Sequence, residues 1–226
     1  MIRRVPTALR TTAIDRKAPI QDLYAALARD EARNAMILGD VVRALEEGRS
    51  PILLTERKDH LEYFANRLAR VARNLVVLQG GMGGKADRAV RTQLESIPPN
   101  SERLLLATGR YIGEGFDDAR LDTLFLALPV SWRGTLVQYA GRLHRLHPGK
   151  REVRIFDYVD REVPMLLRMF EKRLRGYRAI GYARGEAPLG YAEPREDLIP
   201  DYEDVLRIFD HESATDRGDD ITDWEP

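Results

Sequence analysis

Apolar and polar positions follow two rhythms along this chain. Solid apolar runs occur at 51–54 (Pro-Ile-Leu-Leu), 75–78 (Leu-Val-Val-Leu) and 104–107 (Leu-Leu-Leu-Ala), and apolar-rich ones at 121–128, interrupted by Asp122 and Thr123, and 153–158, interrupted by Arg154 and Asp157. Short runs without polar interruption fit strands buried on both faces. Between and after them lie segments whose apolar residues recur at helical spacing, at 58–71, 85–97, 134–145 and 163–177. The last carries Leu166, Leu167, Phe170 and Leu174 on one stripe. Upstream, Leu23, Leu27, Met36, Val41, Val42 and Leu45 also follow helical periods, with Gly39 and Gly48 as breaks. Strands alternating with amphipathic helices predict an α/β domain of three layers. Its mainly parallel sheet is covered by helices on both faces, because parallel neighbours require crossovers.

The ends of the chain lack these rhythms. Residues 1–19 are basic and irregular and read as a linker; 20–184 hold the domain; 185–226, punctuated by Gly185, Pro188, Gly190, Pro194 and Pro200, read as an acidic, partly ordered tail. The zero net charge of the 226 residues conceals an asymmetry. Residues 1–185 hold 33 basic and 22 acidic side chains, while 186–226 hold 14 acidic and 3 basic ones. A basic body attracts phosphate backbones, and an acidic tail could screen it. No apolar run approaches the ~20 residues of a membrane span, so no membrane partner is expected. The absence of cysteine excludes disulfides and thiolate metal sites and makes the cytoplasm the default location. His144 and His147 have no third ligand near them in sequence, so no metal site is expected.

In parallel sheets, ligands gather beyond the carboxyl ends of the strands. Three polar or glycine-rich segments fall there: Thr55-Glu56-Arg57, the turn from Gln79 to Gly84, and the loop from Thr108 to Asp117. Gly80 and Gly81 expose backbone amides that could track a nucleic-acid strand without reading bases, although a plain strand-to-helix turn explains them nearly as well. Downstream, Gln138, Gly141, Arg142 and Arg145 form Q-x-x-G-R-x-x-R. Three- and four-residue spacing puts all four on one helix face. Paired guanidiniums beside a glycine suit a polyphosphate, since arginine stays charged and binds oxygens bidentately.

The QYAGRLHR helix resembles motif VI of superfamily 2 helicases, and the preceding ATGRYIGEGFD (107–117) resembles their motif V. The resemblance spans about residues 20–182 and implies the second RecA-like domain of a two-domain motor. It is nearest to bacterial helicases of the restriction and defence type, and therefore implies DNA. By this resemblance Arg142 and Arg145 are arginine fingers reaching the γ-phosphate of ATP, and Gln138 orients water or bonds phosphate. Gly113, Gly115, Asp117 and Gly141 would approach the nucleotide, while Thr108 and Arg110 would face nucleic-acid phosphates. Thr55 and Arg57, in the motif IV region, would do the same.

The half that holds ATP and Mg2+ is missing. The one glycine-rich candidate for a P-loop, Gln79 to Ala86, has its first glycine a residue too close to Lys85 and places Ala86 where a magnesium-binding hydroxyl is needed. No Asp-Glu pair closes an apolar strand. A first RecA-like domain with a P-loop is thus expected on another chain or an absent portion. The alternative is a non-catalytic module, derived from a helicase domain, that binds nucleic acid or a partner.

Overall fold

Leu, Ile, Val and Phe fill both faces of the central strands, and the chain therefore buries them between two layers of helix. A computed structural model describes residues 2–5, 19–109, 111, 118–130 and 137–179. Strands β1 (Ile2–Val5), β2 (Pro51–Thr55), β3 (Leu75–Leu78), β4 (Leu104–Thr108), β5 (Thr123–Leu126) and β6 (Arg154–Asp160) form one sheet in the order β1-β6-β5-β2-β4-β3. Every pairing is parallel, with Thr55 in register with Thr108 and Leu54 with Leu126.

Alternate residues sort to the two faces. Ile52, Leu54, Leu105, Leu124 and Ile155 pack with Val90 and Leu94 of α4 (Gly84–Ser96), Tyr139 and Leu143 of α5 (Val137–Leu143) and Tyr177 of α6 (Pro164–Ala179). Leu53, Leu106, Phe125, Phe156 and Tyr158 pack with α2 (Glu31–Glu46) and α3 (Lys58–Leu68). Phe125 and Phe156 stack at 4.4 Å between ring centroids. A smaller cluster joins Leu23 and Leu27 of α1 (Ile20–Arg29) to Leu128, Val163 and Leu166.

Two buried ion pairs fasten helices to β6. Arg173 of α6 meets both carboxylate oxygens of Asp157, at 2.7 and 2.9 Å, and Tyr177 donates to the same carboxylate at 2.9 Å. On the other face the Arg33 guanidinium lies 3.5 Å from Asp160 and donates to the carbonyl of Ala127.

Three expectations need correction. Ile2–Val5 lies within the segment read as an irregular linker, yet it pairs with β6 through backbone bonds that need no apolar pattern. Gly39 does not break a helix; it sits inside α2, and the break falls at Asp30, whose carboxylate caps α2 by accepting from the Arg33 amide at 3.0 Å. The helix expected to run to Arg145 ends at Leu143. The acidic tail at 185–226 lies outside the described residues. Among the described residues no helix is long and apolar enough to cross a membrane.

Candidate functional site

Thr55 ends β2 at the carboxyl edge of the sheet and is fully buried. Its hydroxyl lies 3.0 Å from Nδ1 of His60, whose Nε2 lies 2.9 Å from the Asn34 side-chain oxygen. Asn34 spends its NH2 on the carbonyl of Ala28, at 2.9 Å. That orientation makes Oδ1 the acceptor, so His60 carries its proton on Nε2 and accepts from Thr55 on Nδ1. Burial, aided by the nearby Arg33 guanidinium, pushes the imidazole down to about 3. The ring is neutral and the relay is closed. Thr55 therefore does not turn outward to a phosphate as expected, because its hydroxyl proton is committed to His60. Arg57 does lie near the surface, but its guanidinium grips Asp59 at 3.0 and 2.7 Å. A phosphate would have to compete with that carboxylate.

The turn after β3 is tied to the end of β4. Gly80 donates its amide to Thr108 Oγ1 at 2.8 Å. Gly81 adopts φ +78°, the left-handed region that glycine enters at no steric cost. Of the two amides expected to line a track, that of Gly80 is thus already used, and Thr108 faces the turn from a buried position. Gly109 follows. A Cβ there would stand 2.9 Å from the Tyr139 hydroxyl and would collide with the Glu56 carboxylate, so a side chain would require one or both of these side-chain ends to move. Burial raises the Glu56 pKa. It raises that of Tyr139 as well, with Glu56 adding to the effect. Tyr24, which donates to the Pro129 carbonyl, is pushed up to about 12 by burial and Glu56. Tyr111 donates to Asp87 of α4 at 2.7 Å. Arg110, Gly113, Gly115 and Asp117 lie outside the described residues.

Helix α5 carries Gln138, Gly141 and Arg142. Arg145 lies beyond its end, in a tightened turn where its amide bonds the Arg142 carbonyl at 3.2 Å, so the shared helix face stops short of it. Lys150 closes the helix by donating to the carbonyls of Leu143 and Arg145, each at 2.8 Å. The backbone at Gly141 is open, with nothing within 4 Å of where a Cβ would stand. Arg142 is half-buried and lines a depression with Ile52, Leu54, Asp118, Leu121, Leu124, Tyr139 and Leu143. Its Nη1 is buried and, among the described residues, meets no acceptor. Arg145 is exposed.

Sequence reasoning missed Tyr139, which is 3% exposed and donates to the Gly109 carbonyl at 2.8 Å. The available signal was a hydroxyl-bearing aromatic inside the arginine motif, on its inward face. Among the described residues no group of three or more His, Cys, Asp or Glu could hold a metal ion.

No protein-family model matches the chain. Its structure is similar to the crystal structure of T4 UvsW, with a TM-score of 0.61 and 15% identity over 79% of this chain and 38% of that one. It is also similar to the C-terminal part of the Fun30 ATPase domain, with a TM-score of 0.53 and 11% identity over 65% of this chain and 46% of that one. In sequence it is 28% identical over 121 residues to the transcript termination protein A18 of Vaccinia virus (strain Ankara), a match covering 53% of this chain and 24% of the viral protein. The matched region is thus about a quarter of that relative. The structural likenesses establish the fold alone: the chain has an α/β, RecA-like architecture.

Proposed function

We propose that the chain is the C-terminal motor half of an ATP-dependent helicase or translocase acting on nucleic acid, DNA by the resemblance of its motifs. One observation supports this reading above the others. On this fold, the arginine-bearing helix α5 is bonded through Tyr139 to the glycine of the motif V-like segment, so the two motifs sit together at the edge where parallel sheets bind ligands. Arg142 and Arg145 would supply positive charge to the γ-phosphate of ATP held by a first domain. Charge of this kind is worth roughly 10³–10⁵ in rate in related NTPases, because it acts on the transferring group. Gln138 would orient water, and Gly141, Gly113, Gly115 and Asp117 would approach the nucleotide. Arg57, Arg110 and the amide of Gly81 would meet phosphates of the strand. Mg2+ would belong to the missing half, which alone can combine a P-loop hydroxyl with an acidic strand end.

Purified alone, the chain should show no ATP turnover above background, and a separately produced P-loop half should restore it. In the restored motor, Arg142→Ala should lower kcat far more than ATP affinity, since the guanidinium acts mainly in the transition state. Turnover by the chain alone, abolished by Arg142→Ala, would overturn the proposal. A second reading, a module that binds nucleic acid and hydrolyses nothing, is favoured by Ala86 standing where a P-loop needs its hydroxyl. Persistent oligonucleotide binding with no turnover in the presence of a matched P-loop half would select it.

A further inference from the structure

The segment 108–111 is held by a different element at each described residue. Thr108 accepts from the amide of Gly80 in the β3–α4 turn, Gly109 accepts from Tyr139 of α5, and Tyr111 donates to Asp87 of α4. The Glu56 carboxylate and the Tyr139 hydroxyl occupy the space a Cβ at Gly109 would take. Arg142 lies three residues beyond Tyr139, one turn along the same helix, and lines the same depression. A rotation of α5 that re-aims Arg142 must therefore carry the Tyr139 hydroxyl with it and pull on the Gly109 carbonyl. The adjacent Thr108 would pass that pull to Gly80.

We infer that Tyr139 is a positioning residue that makes two binding events interdependent: a polyphosphate at Arg142 and a nucleic-acid strand at the turn of Gly80 and Gly81. This rests on the function proposed above, and names a residue and a bond for the coupling between its two ligands. The phenol suits the task. It is buried, its hydroxyl donates to a carbonyl, and burial beside Glu56 raises its pKa, so it stays a donor throughout the working pH range. A tyrosine present only to fill the core would serve equally well as phenylalanine.

Tyr139→Phe keeps the ring and removes the bond, and it separates those two roles. On the full chain together with the separately produced P-loop half, the affinity for a fluorescein-labelled oligo-dT is measured with and without a non-hydrolysable ATP analogue, and the affinity for that analogue with and without the oligonucleotide. Linkage requires the same factor in both directions, within the roughly 5–150-fold span of ordinary couplings. The expected result is a clear factor in the wild type that collapses toward one in Tyr139→Phe, while the affinity for each ligand alone is retained. A melting curve on both proteins reports packing separately. An unchanged factor in Tyr139→Phe would overturn the inference. So would parallel losses of both single-ligand affinities together with melting temperature, which mark a structural role. Wild-type protein that binds both ligands without coupling also overturns it and leaves the proposed function standing. Wild-type protein that binds neither ligand overturns the two together.

Discussion

Arg173 on α6 is fully buried and Arg142 on α5 is half-buried, and among the described residues only Arg173 meets a counter-ion. Arg173 is 1% exposed, meets both oxygens of Asp157 and reaches the carbonyl of Val130 at 3.3 Å. Arg142 buries Nη1 without an acceptor among the described residues. The carboxylate in its depression, Asp118, is engaged with Arg103 and with the amide of Arg120. A completed buried pair fixes geometry, and breaking it strands a charge. An uncompleted one withholds free energy from the fold, and an arriving anion can recover it. The contrast places Arg173 in the scaffold and agrees with the proposal that Arg142 serves a ligand.

Removing the counter-ion tests the scaffold side most severely. Asp157→Ala should cost about 3–5 kcal/mol, the range for stranding one partner of a buried pair, read as a loss of denaturant midpoint. An undiminished midpoint would dissolve the distinction. Next comes Gly109→Ala, whose methyl would meet the Glu56 carboxylate and the Tyr139 hydroxyl. Overpacking of this kind costs about 1–3 kcal/mol, and Glu56→Ala in the same chain should recover much of it.

The closed relay at His60 belongs with Arg173, and pH tests it. Its folded pKa is depressed to about 3 from 6.5, so the unfolded chain takes up the proton first. The relay's contribution is complete above pH 6.5 and is lost progressively as pH falls toward 3. Between pH 6.5 and 5.5 the loss should be about 1 kcal/mol, and His60→Gln should flatten that part of the stability profile. A profile equally steep in the variant would mean that His60 is not held neutral. The smallest effect is expected at the other arginine. Arg142→Met should change stability by no more than about 0.5 kcal/mol, in either direction, because it replaces a guanidinium whose buried Nη1 meets no acceptor among the described residues with an apolar chain. A loss as large as that of Asp157→Ala would place Arg142 in the scaffold as well.

The sequence made the sheet legible because its strands are buried on both faces. Runs such as Leu75–Leu78 and the first four residues of β4, Leu104 to Ala107, leave no polar position to confuse the period. Helices α3, α4 and α6 were legible from their apolar stripes, with ends displaced by a few residues. Ile2–Val5 was not, because two arginines occupy its middle and its place is set by backbone pairing with β6. At the site, the motif residues could be named but their partners could not. Nothing in Thr55 or Gly80 foretells that a distant His60 or Thr108 uses the group expected to face a ligand. Such commitments depend on which strands become neighbours, and β4 lies between β2 and β3 only after folding.

The outermost strand carries a practical consequence for anyone handling this protein. Although β1 runs parallel to the other five, its register sets Ile2 level with Asp157, Leu126 and Leu54, so it stands near the same edge of the sheet as Thr55 and three strands away across it. An affinity tag or fluorophore attached ahead of it is therefore separated from Thr55 mainly by three strand spacings of ~4.8 Å each. Trimming those first residues to simplify expression is a different matter. It would uncover the backbone groups of β6 along its whole pairing with Ile2–Val5, and an unpaired inner strand is a template for adhesion between molecules. The shortened protein should precipitate at concentrations the intact one tolerates.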